Sequence, residues 1–125
     1  MKRVTGIGGI FLKAADPAAL ARWYRERLGV PLAEGESHAI FRWRDDHDGD
    51  GMTVWSVFAR DDGYFRSDAQ FMVNYRVDDL DAVLAALRAE GVAVDDRTDD
   101  TGYGKFGWVT DPEGNRIELW QPPSA

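Results

Sequence analysis

Hydrophobic and polar residues follow one pattern along this chain, and the pattern runs twice. Val4 to Ala14 is apolar, with three glycines and Lys13 as its single charge, and reads as a buried strand. Asp16-Pro17 ends it. Aspartate is a good helix N-cap and proline fits the first helical position, so the pair predicts a helix to about Leu28, closed by Gly29. Leu20, Tyr24 and Leu28 recur every four residues beside Trp23, with Arg22, Arg25 and Glu26 largely on the other face, which makes this helix amphipathic. After a turn at Glu34-Gly35-Glu36, two β-rich runs (residues 38–43 and 52–58) flank the polar stretch RDDHDGDG and predict a hairpin. Residues 60–69 are polar and are expected to form a linker or flexible loop.

The pattern then restarts. QFMVNYRV (70–77) is strand-like, Asp78-Asp79 supplies a cap, and Leu80, Val83, Leu84 and Leu87 keep helical spacing up to Gly91. Val92-Ala93-Val94 is short and extended, and an acidic loop is expected over 95–104. A strand over 105–110, a turn at Asp111-Pro112-Glu113-Gly114-Asn115 and a last strand over 116–121 complete the chain before Pro122-Pro123. Aligning Asp16 with Asp79 lays LKAADPAALARWYRERLG over YRVDDLDAVLAALRAEG with one residue's difference in length. The order is strand, helix, three strands, twice, which reads as an internal duplication. Each half is too small to bury its sheet alone. The expectation is a single α+β domain over 1–125, with module 1 over about 1–60, a linker over about 61–69 and module 2 over about 70–123.

Composition narrows the function. At 125 residues with 44% hydrophobic and 12% aromatic content, the chain supports one sizeable core. A net charge of −7 argues against nucleic acid, whose phosphates call for clustered Lys and Arg. No apolar run reaches the roughly 20 residues that cross a bilayer, and Met1-Lys2-Arg3 precedes a glycine-broken stretch instead of a signal-peptide core, so a cytoplasmic protein free of the membrane is expected. Zero cysteines remove disulfides, thiol nucleophiles and thiolate metal sites, and His38 and His47 are the only histidines. Asp46-His47-Asp48-Gly49-Asp50-Gly51 matches the opening of a calcium loop. Its twelfth position is Val57 in place of a bidentate glutamate, and its flanks are strands, so the stretch is expected to be a solvated hairpin turn. TGIGGIF lacks phosphate-loop spacing, and no Ser-His-Asp arrangement is supported.

The element order, the segments AADPAALARWYRERLG and NYRVDDLDAVLAALRAEGV, and above all the closing DPEGNRIELWQP resemble the vicinal-oxygen-chelate superfamily of glyoxalases, extradiol dioxygenases and bleomycin-resistance proteins. The resemblance covers almost the whole chain. It implies tandem βαβββ modules forming a curved mixed sheet, with helices on the outer face and a concave ligand groove. It also implies a homodimer and, in metal-dependent members, a divalent ion held by His, Glu or Gln side chains. The positions that would carry those ligands hold Gly9, Met72 and Glu118, with no strong ligand near Trp55-Ser56. Glycine has no side chain to offer and a thioether suits hard or borderline ions poorly. One anchor cannot hold an ion, so no metal or other cofactor is expected, unless a rearranged site recruits His38.

Strand alternation fills in the groove. If Gly9 and Met72 mark the concave face, then Phe11 and Lys13, and Asn74 and Arg76, share it, while Ile10, Leu12, Val73, Tyr75 and Val77 face the helices. Glu118 brings Arg116 and Trp120 with it, and Phe106 and Trp108 join from the neighbouring strand. In the first hairpin either His38, Ile40 and Arg42 or Phe41 and Trp43 face inward, and Trp55 is a further candidate. Aromatic walls with a few polar groups suit a planar or amphipathic small molecule, although the five tryptophans equally serve as core or dimer contacts. Tyr103, between two glycines, is a candidate lid. Glu118 is either a catalytic acid–base group or a structural carboxylate paired with Arg116 or Arg76. Two functions follow: a glyoxalase-like lyase or isomerase acting through Glu118, or a non-enzymatic bleomycin-resistance-type protein that sequesters its ligand.

Overall fold

The computed structural model describes residues 1–28, 30–43, 51–66, 68–111 and 114–123. Two compact units divide the chain: a first unit, Gly9–Phe71, and a second unit that joins Met1–Gly8 to Met72–Ala125. The elements run β1 (Val4–Ala14), α1 (Pro17–Leu28), β2 (His38–Arg42), β3 (Met52–Ala59), β4 (Phe71–Val77), α2 (Leu80–Ala89), β5 (Ala93–Thr101), β6 (Gly104–Thr110) and β7 (Arg116–Gln121). The α+β class read from the sequence is what the structure holds. No helix among the described residues is long and apolar enough to cross a membrane.

In the first unit, β3 pairs in parallel with β1, setting Gly9 beside Val54 and Lys13 beside Phe58. It pairs antiparallel with β2, setting Ala39 beside Trp55 and His38 beside Ser56. The expected hairpin is therefore present. Its connecting residues 44–50, and with them most of the calcium-loop match and His47, lie outside the described residues. Helix α1 starts as its sequence directs: the Asp16 carboxylate accepts from the Ala19 amide at 3.1 Å, and Pro17 occupies the first helical position. Gly29, its expected stop, is outside the described residues. Ala21, Leu32 and Ala39 form a small core on the α1 side with Tyr24, Val30 and Trp55 packed on it. Two strands follow α1 among the described residues of this unit.

The opposite side of the first unit is aromatic. The Phe58 and Tyr64 rings stack at 5.2 Å, Phe11 leans on both, and Phe65 meets Phe58 edge-on. Tyr64 and Phe65 come from the stretch expected to be a flexible linker. Lys13 explains their order: its buried ammonium donates to the Phe65 carbonyl at 3.1 Å and to the Arg66 carbonyl, and lies 4.5 Å from the centre of the Phe65 ring. Two aromatics thus anchor this polar run on the aromatic side of the first unit.

The second unit is a complete βαβββ module. β7 pairs in parallel with β4 and antiparallel with β6, and β6 pairs antiparallel with β5. Helix α2 is capped by the Asp79 carboxylate, which accepts from the Ala82 amide at 3.1 Å. It ends where Gly91 takes φ +81°, with the Val92 amide donating to the Leu87 carbonyl and the Gly91 amide to the Arg88 carbonyl. The same bonds point Val92 into the core of Val77, Leu80, Val83, Leu84, Val109 and Leu119. At this same end of the helix, Glu90 pairs with Arg3, whose guanidinium holds that carboxyl below the usual carboxylate range.

One expectation over this unit is corrected. The acidic loop foreseen over 95–104 is mostly β5, which runs Ala93–Thr101 with an irregularity between Val94 and Thr98. Two of its four aspartates are paired: Asp99 with Arg97 and Asp95 with Arg116, each at 2.7 Å. A strand that pairs along one side only and is largely exposed carries charge where a central strand carries apolar residues, so its composition imitates a loop.

Candidate functional site

The face of the second unit turned away from α2 carries a buried polar group at its centre. Alternation along β4, β7 and β6 sends Val77, Leu119 and Val109 to α2 and the intervening residues to the other face. Register then sets Asn74, Glu118 and Trp108 side by side across three strands, and Arg76, Trp120 and Phe106 in the neighbouring row. Glu118 has no solvent exposure, Trp108 and Met72 1%, and Asn74 2%.

Two N–H groups converge on Glu118. Asn74 Nδ2 donates to Oε1 at 2.6 Å and Trp108 Nε1 donates to Oε2 at 2.9 Å. A buried carboxylate is tolerable only when its lone pairs find donors. An amide and an indole hold these oxygens, two donors the sequence reading did not name for Glu118. Arg116 instead donates to Asp95, and its guanidinium carbon lies 5.3 Å from the Trp108 ring centre, with that of Arg97 at 5.0 Å. Both arginines thus lend positive charge to the ring whose N–H holds Glu118. Trp120 stacks on Phe106 at 6.3 Å and donates to the Tyr103 carbonyl at 2.7 Å. Tyr103 therefore serves this face through its backbone, and its ring, 78% exposed, lies at the β5–β6 turn.

The remaining candidates lie in the first unit. Phe11 and Lys13 share the aromatic side described above. Trp55 does not, which corrects its place among the groove residues: it faces α1 and packs on Tyr24 at 4.9 Å, because its register partners Ile10 and Ala39 have that parity. The same register resolves the hairpin. His38, Ile40 and Arg42 lie opposite Ser56, Val54 and Met52, on the side away from α1. His38 is exposed there with Glu36 at 3.5 Å.

The resemblance raises the question of a divalent ion, and the donor set gives the answer. The oxygens of Glu118 accept hydrogen bonds from N–H groups, which repel a cation. Met72 offers a thioether. At Gly9 an added Cβ would lie 2.6 Å from the Val54 carbonyl oxygen, so a side chain with a ligand atom does not fit without backbone movement. No three His, Asp or Glu side chains gather among the described residues. These residues do not suit the ion.

Comparison with known proteins agrees with the architecture. The model of the glyoxalase-like domain matches residues 9–120. Methylmalonyl-CoA epimerase from Mycobacterium tuberculosis superposes with a TM-score of 0.72 at 22% identity, over 99% of this chain and 92% of that one. The Streptomyces coelicolor methylmalonyl-CoA epimerase bound to 2-nitronate-propionyl-CoA gives 0.69 at 18%, over 97% and 99%. A Legionella pneumophila structure described as NAD-dependent benzaldehyde dehydrogenase gives 0.61 at 13%, over 92% and 98%. No curated protein sequence matches the chain. At these identities the structural likeness speaks for the fold, and the match over 9–120 settles the family: the chain belongs to the glyoxalase-like domain family of the vicinal-oxygen-chelate superfamily.

Proposed function

We propose that this protein binds a small organic molecule in its second unit, at the margin of the buried Trp108 and Trp120 cluster where Phe106, Arg97 and Arg116 keep exposure, without a divalent ion at the family's position, and sequesters that molecule without converting it. The observation that carries the reading is the state of Glu118: fully buried, with both oxygens accepting from protein N–H groups. A general acid or base must present an oxygen to the proton it transfers. Held as it is, Glu118 acts as a positioning residue that fixes the Trp108 indole and the Asn74 amide. Aromatic rings with Arg76, Arg97 and Arg116 close by favour a planar or amphipathic ligand that carries negative charge.

The competing enzyme reading, an isomerase or lyase acting through Glu118, is open to direct test with the compound its structural neighbours act on. Methylmalonyl-CoA incubated with the protein in D2O and followed by proton NMR is expected to exchange its C2 hydrogen no faster than in buffer. Exchange that rises with protein concentration would replace sequestration by proton transfer. Dialysis against nickel, zinc, manganese or cobalt, followed by elemental analysis, is expected to leave far less than one ion per chain; near-stoichiometric metal overturns the metal-free reading. The reading also takes the chain as a homodimer, so light scattering is expected to give twice the 14.0 kDa chain mass.

A further inference from the structure

A groove of about 650 Å³ lies in the first unit and is lined by none of the residues of the Glu118 face. It is an open groove between α1 and the end of β1, lined by Ala14, Ala15, Ala19, Leu20, Trp23 and Tyr24, with Lys13, Asp16 and Arg60 as its charged residues. It is shallow and largely open to solvent, so it holds a ligand along one face. The walls differ in kind. Ala14, Ala15 and Ala19 leave open space, whereas Trp23 stays 49% exposed, a large apolar surface left in water. That ring is not loose. Tyr24 meets it edge-on at 5.0 Å, and Tyr24 itself packs on Trp55 at 4.9 Å.

The charged groups at the margin are unequal. The Asp16 carboxylate caps α1 through the Ala19 amide, and the Lys13 ammonium is taken by the Phe65 and Arg66 carbonyls. Arg60 is held at the margin by its backbone, whose N–H donates to the Ala14 carbonyl at 2.9 Å. Its guanidinium, among the described residues, makes no hydrogen bond or ion pair. A rigid exposed indole, small neighbouring residues that leave room beside it and an uncommitted guanidinium are the elements that recognise a flat ring bearing an acid group. We infer that this groove is a second ligand site, independent of the Glu118 face, which takes a planar aromatic carboxylate or sulfonate with its ring on Trp23 and its anion on Arg60.

The test uses 2-naphthoate as ligand and its uncharged counterpart 2-naphthalenemethanol as control, read by the indole N–H signals of the five tryptophans. Loss of one signal in Trp23→Phe assigns that residue. Naphthoate is expected to shift the Trp23 signal saturably, with its own midpoint, whatever it does at Trp108. Trp23→Ala should weaken naphthoate about tenfold. Arg60→Gln should weaken it severalfold while leaving the alcohol unchanged. Both side chains are exposed, so neither change threatens the fold. A Trp23 signal that does not saturate, or equal affinity of wild type and Arg60→Gln for naphthoate read at that signal, overturns the site.

Discussion

Replacing Trp108 by alanine is expected to remove most of the stability of the second unit. Truncating a fully buried tryptophan to alanine costs about 3–5 kcal/mol through lost burial and the cavity it leaves. Here it also takes the N–H from Glu118 Oε2, and a buried acceptor left without its donor adds about 1–3 kcal/mol. The sum rivals the whole stability of a small domain, about 5–15 kcal/mol. Urea denaturation should show it as a large fall in midpoint. Trp108→Phe separates the contributions: the ring is mostly retained, the N–H is lost, and a fall of about 1.5–3 kcal/mol is expected from the hydrogen bond to the carboxylate alone. If Trp108→Phe proved neutral, the indole would be packing and not a donor that Glu118 needs.

The same logic bears on Glu118→Gln, the change that an acid–base hypothesis invites. A glutamine can accept from one of the two donors through its oxygen, but its NH2 then faces the other N–H, donor against donor. The substitution therefore disturbs the fold, and lost activity in it would not by itself show a lost catalytic group. Wild-type hydrogen exchange into methylmalonyl-CoA avoids that ambiguity.

How far the sequence reached follows from which physical rule governed each element. Helices were legible because caps are local: Asp16 and Asp79 each accept from the amide three residues on, and Gly91 ends α2 by a conformation glycine adopts freely. Faces were legible in β4, β6 and β7 because alternation is strict once one residue is placed. Trp55 was misplaced because its parity depended on pairing with Ala39 and Ile10, which only register reveals. β5 was read as a loop because a charged strand that pairs on one side has no apolar face to announce it. The Asn74, Glu118 and Trp108 side chains were each assigned to the right face, yet their convergence was not legible. It requires the offset between three strands, a long-range quantity that no local spacing encodes.

Gly8 tests that convergence from the backbone side. Its φ is not positive, so alanine would ordinarily be tolerated there and would stabilise by about 0.4–1 kcal/mol through the unfolded chain. A Cβ at this position, however, would stand 1.9 Å from Asn74 Oδ1 and 2.9 Å from Trp120 Cε3. The amide cannot simply swing aside, because its Nδ2 is hydrogen-bonded to Glu118 Oε1 at 2.6 Å. Gly8→Ala must therefore separate Asn74 from Glu118, leaving a buried acceptor short of a donor, and a net loss of about 1–3 kcal/mol is expected. The Asn74→Ala background decides the cause. With the amide already gone, the added methyl meets only the Trp120 ring edge, so most of the penalty should vanish and the two substitutions should be strongly non-additive by urea denaturation. Equal losses in both backgrounds would mean that Gly8 is required for Trp120 packing alone, and that the clasp on Glu118 does not depend on the bare strand beneath it.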